Sequence, residues 1–252
     1  MIKFSICIDT IFNHLPFEER MEQAASCGCT AVEFWEWQDK DLDVVARAKE
    51  AAGVDILAFG GLPSQPAGNP ATVEETIREL RKSIQTARQV GAGGLIIVPG
   101  EELDDVPREA QLKTVADVLN AAAPAAKDER VTLLLEPVNK SIDYPGTLVS
   151  TVGEAMQVLD LVDQPNVKLL LDVYHQYITE GAVLETIEAH IHRIGHFHLA
   201  DAPGRHEPGT GEVQFREIFH LIDSLGYEGY LGMEFVPTGD HNEAVEAVLD
   251  LV

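Results

Sequence analysis

Positively charged side chains are scarce in this chain: 18 Lys and Arg stand against 42 Asp and Glu in 252 residues, a formal net charge of −24. A surface of that sign repels phosphate backbones and anionic bilayers, which excludes nucleic-acid binding driven by counterion release and docking on a membrane surface. Cysteine is scarce too. Cys7, Cys27 and Cys29 are too few for a disulfide framework. The single residue between the last two fits neither a zinc knuckle nor a Cys-x-x-Cys redox pair, so buried thiols in a reducing, cytoplasmic compartment are expected. No run approaches the roughly 20 apolar residues of a membrane span. The amino terminus, MIKFSICIDT, holds one Lys and an apolar stretch broken by Ser5 and Asp9, without a small-residue cleavage site, so it reads as a first strand rather than a signal peptide.

What the chain has is an even spread of apolar residues, 45% of the total, which argues for a packed core and against disorder. Short apolar runs alternate with longer amphipathic stretches. Strands are expected at 2–8, 31–34, 54–59, 94–98, 131–135, 167–171, 194–199 and 230–235, and helices at 17–26, 42–52, 73–90, 108–127, 152–162, 182–190, 215–225 and 242–251. Strict alternation implies right-handed parallel crossovers, and eight units in about 250 residues favour a closed (β/α)8 barrel of the α/β class over an open sheet. One domain, residues 1–252, follows, because no linker interrupts the pattern. The Pro/Gly-rich segment from Gly60 to Pro70 is too short to separate domains and belongs where an extended active-site loop would lie.

The last four strands end in metal-capable side chains. V-T-L-L-L precedes Glu136, V-K-L-L-L precedes Asp172, the seventh strand holds His196 and His198, and the eighth reaches Glu234. The intervals, 36, 26 and 36 residues, are each close to one βα unit, which sets the four around the carboxyl-end rim where barrel active sites are built. Strand parity agrees. Side chains alternate faces, so Leu134 and Glu136, Leu170 and Asp172, His196 and His198, and Gly232 and Glu234 share an inward face, and the opposite parity is apolar throughout. Each carboxylate taken alone reads more often as a helix cap or turn residue than as a ligand; the three with His198, in consecutive units and with matching parity, read as a metal site. Three carboxylates and one imidazole form an oxygen-dominated set suited to Mn²⁺ or Mg²⁺, with Co²⁺ also accommodated.

At these residues the sequence resembles the xylose isomerase-like family of TIM barrels, and within it the hydroxypyruvate isomerase branch. The stretches that carry the likeness are E-P-V-N from Glu136, D-Y-P-G from Asp143, L-D-V-Y-H from Leu171, I-G-H-F-H-L-A-D from Ile194, G-R-H-E-P-G-T-G-E from Gly204 and G-Y-L-G-M-E-F-V-P from Gly229. The resemblance implies that Glu136, Asp172, His198 and Glu234 bind a divalent metal, and that Glu136 and Glu234 also act as acid/base groups. It further implies substrate contacts from His175 and Arg205, and Lys140 is a third rim cation able to meet an anionic substrate. Glu212 reads as a first-turn residue of the helix near Phe215, and Pro208 to Gly211 as a tight turn, since it lacks a Walker lysine.

The expected reaction is an aldose–ketose type isomerisation of a small hydroxy-carbonyl compound through an enediolate, with hydroxypyruvate converted to tartronate semialdehyde. The alternative enzyme is a ketose 3-epimerase. Six residues after the first metal-binding glutamate, relatives of that kind carry a glutamate and small-acid isomerases an aspartate; this chain has Ile142 there, with Asp143 one position later, and so differs from both patterns. A non-catalytic sugar-binding barrel would not require both glutamates. A trinuclear-zinc endonuclease would need further ligands and a basic surface. A homodimer or homotetramer is expected from the resemblance alone.

A cluster of four ligands accounts for little of the negative charge, so most of the acidity must be solvated, as on proteins of high-salt cytoplasm. Screening of that self-repulsion is expected to raise the melting temperature between low salt and molar KCl. A melting temperature that stays level or falls across that range would contradict this.

Overall fold

Residues 2–62 and 67–252 are described by the computed structural model of the protein. The strands are β1 (Lys3–Cys7), β2 (Ala31–Phe34), β3 (Asp55–Gly60), β4 (Gly94–Ile97), β5 (Thr132–Leu135), β6 (Val167–Asp172), β7 (Ile194–Leu199) and β8 (Tyr230–Met233). They pair in parallel in chain order, and β1 closes on β8 with Ser5 opposite Gly232, so the sheet is a barrel with no edge. Around it lie α1 (Phe17–Ser26), α2 (Leu42–Ala52), α3 (Val73–Val90), α4 (Arg108–Asp128), α5 (Val152–Asp160), α6 (Val173–Thr179), α7 (Val183–His190), α8 (Phe215–Ser224) and α9 (His241–Leu249). Among the described residues no helix is long and apolar enough to cross a membrane.

The local chemistry sets these boundaries. Asp41 caps α2 by accepting from the amides of Asp43 and Val44, and Gly53 ends it in the left-handed region that a side chain would resist. Thr151 and Glu154 form a reciprocal capping box that starts α5. All sixteen expected elements match to within two residues at each end. Two elements were not expected: α6, which follows β6 without an intervening residue, and a 3-10 turn, Pro70–Thr72, leading into α3. Residues 63–66 of the expected active-site loop lie outside the described residues.

Strand parity divides the core in two. Leu133, Leu135, Leu169, Leu171, Phe197, Leu199, Met233 and Phe235 belong to the large apolar layer between barrel and helices. Leu134 and Leu170 instead join Ala58 and Ile96 in a separate cluster inside the barrel. Burial of side chains of this size contributes about 1.5–3 kcal/mol each, so shifting a strand by one residue would turn that layer inward and the carboxylates outward. Register is therefore what aims Glu136, Asp172, His198 and Glu234 into the mouth.

Candidate metal centre and active-site pocket

Glu136 and Glu234 follow directly on β5 and β8, where their amides donate to the carbonyls of Ile97 (3.0 Å) and Leu199 (3.1 Å) and extend the ladder by one step. Asp172 ends β6 and also caps α6: its Oδ1 accepts from the amides of Tyr174 (2.7 Å) and His175 (3.2 Å). His198 lies on β7. All four are buried, and they offer ligand atoms that lie within 4.8 Å of one another. His198 Nδ1 is 3.3 Å from both Glu136 Oε1 and Glu234 Oε2.

Three buried carboxylates at such distances repel one another strongly unless positive charge joins them. Part comes from Arg205, whose guanidinium pairs with Glu234, lies 3.6 Å from Asp172 Oδ2 and sits 5.5 Å over the Tyr174 ring. Burial alone would lower its pKa, but Glu234, Asp172 and Glu136 together hold it above the ordinary value. Glu234 shows the reciprocal effect: burial would raise its pKa, yet His198 and Arg205, with a 2.7 Å bond from Trp35 Nε1–H, keep it well below the usual carboxylate range. His198 is shifted well upward, because Glu234, Glu136 and Glu33 outweigh its desolvation.

Hydrogen bonding is incomplete at two atoms of the cluster, Arg205 Nε and Asp172 Oδ2. Asp172 Oδ2 is buried without a hydrogen-bond partner, although its sister oxygen makes two. A buried carboxylate oxygen left without a hydrogen bond is costly. The donor set, three carboxylates and an imidazole nitrogen around one space, has the composition that a divalent cation takes. The residues present therefore fit such an ion.

A cavity of about 350 Å³ opens above the cluster, lined by Trp35, Glu136, Tyr144, His175, Arg205 and Glu234, with an apolar wall that includes Leu62, Ile96 and Val138. His175 is buried, with Nδ1 2.7 Å from Asn139 Nδ2 and Nε2 3.6 Å from Asp172 Oδ2. Lys140 is not among the lining residues; its ammonium faces Glu102 at 3.4 Å. Ile142 is exposed, while Asp143 turns back to accept from Asn139 Nδ2 at 2.6 Å. Glu212 precedes α8 and accepts from the Tyr177 hydroxyl. The Gly209 and Gly211 amides wrap Asp201, making the tight turn that its residues suggested.

The sequence reading missed three contributors. Trp35 reaches Glu234 from 199 positions away, Cys7 Sγ lies 4.0 Å from the same carboxylate, and Glu33 bonds His198 from within the barrel. Glu33 did leave a signal: it is the lone carboxylate inside the four-residue strand A-V-E-F.

A family model described as xylose isomerase-like TIM barrel matches residues 21–251. Among curated proteins, the chain is 32% identical to a putative hydroxypyruvate isomerase of Streptomyces coelicolor, over 94% of this chain and 92% of that one. It is 31% identical to the hydroxypyruvate isomerase of Escherichia coli K12, over 94% of both, and 29% identical to a 2-oxo-tetronate isomerase of Cupriavidus necator, again over 94% of both. Among solved structures, one titled AP endonuclease, family 2, from Brucella melitensis superposes with a TM-score of 0.93 at 28% identity, covering 99% of each chain. An L-ribulose 3-epimerase superposes with a TM-score of 0.83 at 22% identity, covering 99% of this chain and 93% of that one, a likeness of fold alone.

Proposed function

The chain belongs to the xylose isomerase-like TIM-barrel family, and we propose that it is a divalent-metal-dependent hydroxypyruvate isomerase built as one barrel domain, residues 1–252. The observation that carries this reading is the convergence of Glu136, Asp172, His198 and Glu234 with Asp172 Oδ2 buried and without a hydrogen bond, beneath a pocket whose lining includes the Arg205 cation. The relatives named hydroxypyruvate isomerase support the substrate.

An ion held by those four residues, Mn²⁺ or Mg²⁺ by the oxygen-rich set, would supply positive charge that polarises the substrate carbonyl and eases loss of the neighbouring C–H proton. The remaining work belongs to the chain. Isomerisation moves one proton from C3 of hydroxypyruvate to C2 and a second from the C3 hydroxyl to the C2 oxygen, so one group must take the carbon-bound proton and another must return one. Glu234, held ionised by His198 and Arg205, is suited to accept the C3 proton, and Trp35 Nε1–H fixes the carboxylate through its other oxygen. Glu136, in the same cluster, would complete the transfer at C2. Arg205 can exchange part of its claim on Glu234 and Asp172 for the substrate carboxylate, a role that a neutral ketose would leave unfilled. Leu62, Ile96 and Val138 give the pocket an apolar surface against which the carbon skeleton of the substrate can pack.

The test is a substrate panel with metal-loaded protein, followed by NMR in D₂O: hydroxypyruvate, a 2-oxo-tetronate and free ketoses. Hydroxypyruvate is expected to be converted to tartronate semialdehyde with a kcat/KM at least about tenfold above any free ketose. Preference for a ketose, with exchange at C3 alone, would replace this reading with the 3-epimerase one. Preference for the 2-oxo-tetronate would keep the reaction and change the substrate.

A further inference from the structure

The barrel interior beneath the mouth is divided. On β3 to β6 its inward residues are the apolar Ala58, Ile96, Leu134 and Leu170. On the other half, β1, β2, β7 and β8 contribute Ser5, Glu33, His196 and Gly232, and the three with side chains form a polar cluster with no exposure beyond 2%. A carboxylate gains nothing from that burial as a packing element, since an aliphatic side chain would fill the space without losing hydration.

The bonds of Glu33 lead to one place. Its Oε1 accepts from the Ser5 hydroxyl and its two oxygens share the His196 Nε2–H at 3.1 Å, while Oε2 lies 3.2 Å from His198 Nε2. A carboxylate flanked by these donors only accepts, so Nε2 of His198 must carry the proton of that bond. The nitrogen at which a cation can take the place of a proton is then Nδ1, 3.3 Å from Glu136 and Glu234. Gly232 makes room for the arrangement: a Cβ there would come within 2.5 Å of Glu33 Oε1 and 2.9 Å of His196 Nε2, so β8 withholds a side chain where β2 inserts its carboxylate.

We propose that Glu33 is a positioning residue for the metal centre: its buried carboxylate, itself held by Ser5 and His196, fixes His198 as the Nε2–H form and turns Nδ1 toward Glu136, Asp172 and Glu234. This rests on the metal reading of those four residues. An acceptor behind a ligating imidazole orients the ring and raises its basicity, and loss of such a partner weakens metal binding by about 10–100-fold.

The test compares wild type with Glu33→Gln, which is isosteric but too poor in acceptors to serve Ser5, His196 and His198 together. Two readouts are taken: Mn²⁺ affinity by calorimetry, and the imidazole ¹H–¹⁵N correlations of the Mg²⁺-saturated protein. Wild type is expected to show a slowly exchanging His198 Nε2–H. The variant is expected to bind Mn²⁺ about 10–100-fold more weakly and to lose that signal, a change that a purely space-filling role would not produce. Ser5→Ala, which removes one bond to Glu33 and leaves the carboxylate in place, is expected to weaken Mn²⁺ binding roughly two- to tenfold, and it carries the test if Glu33→Gln does not fold. Unchanged affinity and an unchanged His198 signal in the folded variants overturn the assignment of Glu33 alone. A wild-type protein that takes up no Mn²⁺ overturns the metal reading itself.

Discussion

Glu234→Gln is expected to reduce turnover of hydroxypyruvate on the order of 10³-fold or more, with the circular dichroism of the folded protein unchanged. The size of the effect follows from what the substitution removes and what it keeps. Glutamine fills the same volume and its amide oxygen can still accept from Trp35 Nε1–H, so the local packing survives. Lost are the charge that meets Arg205 and His198 and the capacity to take a proton. Glu234 is kept ionised in the folded protein by those two neighbours, which is the form a base requires. The measurement is kcat under saturating metal, to separate proton transfer from metal loss. Near-normal kcat in the variant would remove Glu234 from the acid/base role.

Saturation with Mn²⁺ is expected to raise the melting temperature of the metal-free protein by about 5–10 °C, and Asp172→Asn is expected to abolish both the rise and turnover. An ion that binds only the folded state stabilises it, by about 2.7 kcal/mol at a hundredfold excess over its dissociation constant, which in a chain of this size corresponds to that shift. The asparagine variant is chosen because Asp172 has two duties on separate oxygens. Asparagine caps helices as well as aspartate, so acceptance from the Tyr174 and His175 amides continues and α6 stays anchored. The other atom becomes an amide nitrogen in place of the oxygen that accepts no hydrogen bond, and a nitrogen bearing two hydrogens offers a cation no lone pair. Differential scanning with and without Mn²⁺ reads the shift directly. An equal rise in wild type and variant would place the ion elsewhere.

Asp172 also shows why strand-end carboxylates are ambiguous in a sequence. The cap reading and the ligand reading do not exclude each other in one side chain, because a carboxylate has two oxygens: Oδ1 caps α6, and Oδ2 is left to the cluster. The seven residues of α6 went unread for a related reason: V-Y-H-Q-Y-I-T is too short to display helical periodicity and it continues an apolar strand without a break. The four-residue cluster was legible because each of its members obeys a local rule, the end of a strand on the inward parity, repeated in consecutive βα units. Glu33 and Trp35 obey no such rule. Their significance appears only when the barrel closes and brings β2 against residues 163 and 199 positions away. Lys140 illustrates the opposite failure. Proximity in sequence to Glu136 suggested a rim cation, but the backbone after β5 carries its ammonium to Glu102, so among the three cations and imidazoles named from sequence only Arg205 and His175 line the pocket.

The most direct test of the account is the dependence of hydroxypyruvate turnover on metal content. Protein stripped with a chelator and titrated with Mn²⁺ is expected to be inactive at the start and to gain activity in proportion to added ion, reaching a plateau at one ion per chain. Turnover by the stripped protein equal to that of the loaded protein, or a plateau at full metal occupancy with no conversion of hydroxypyruvate, would contradict it.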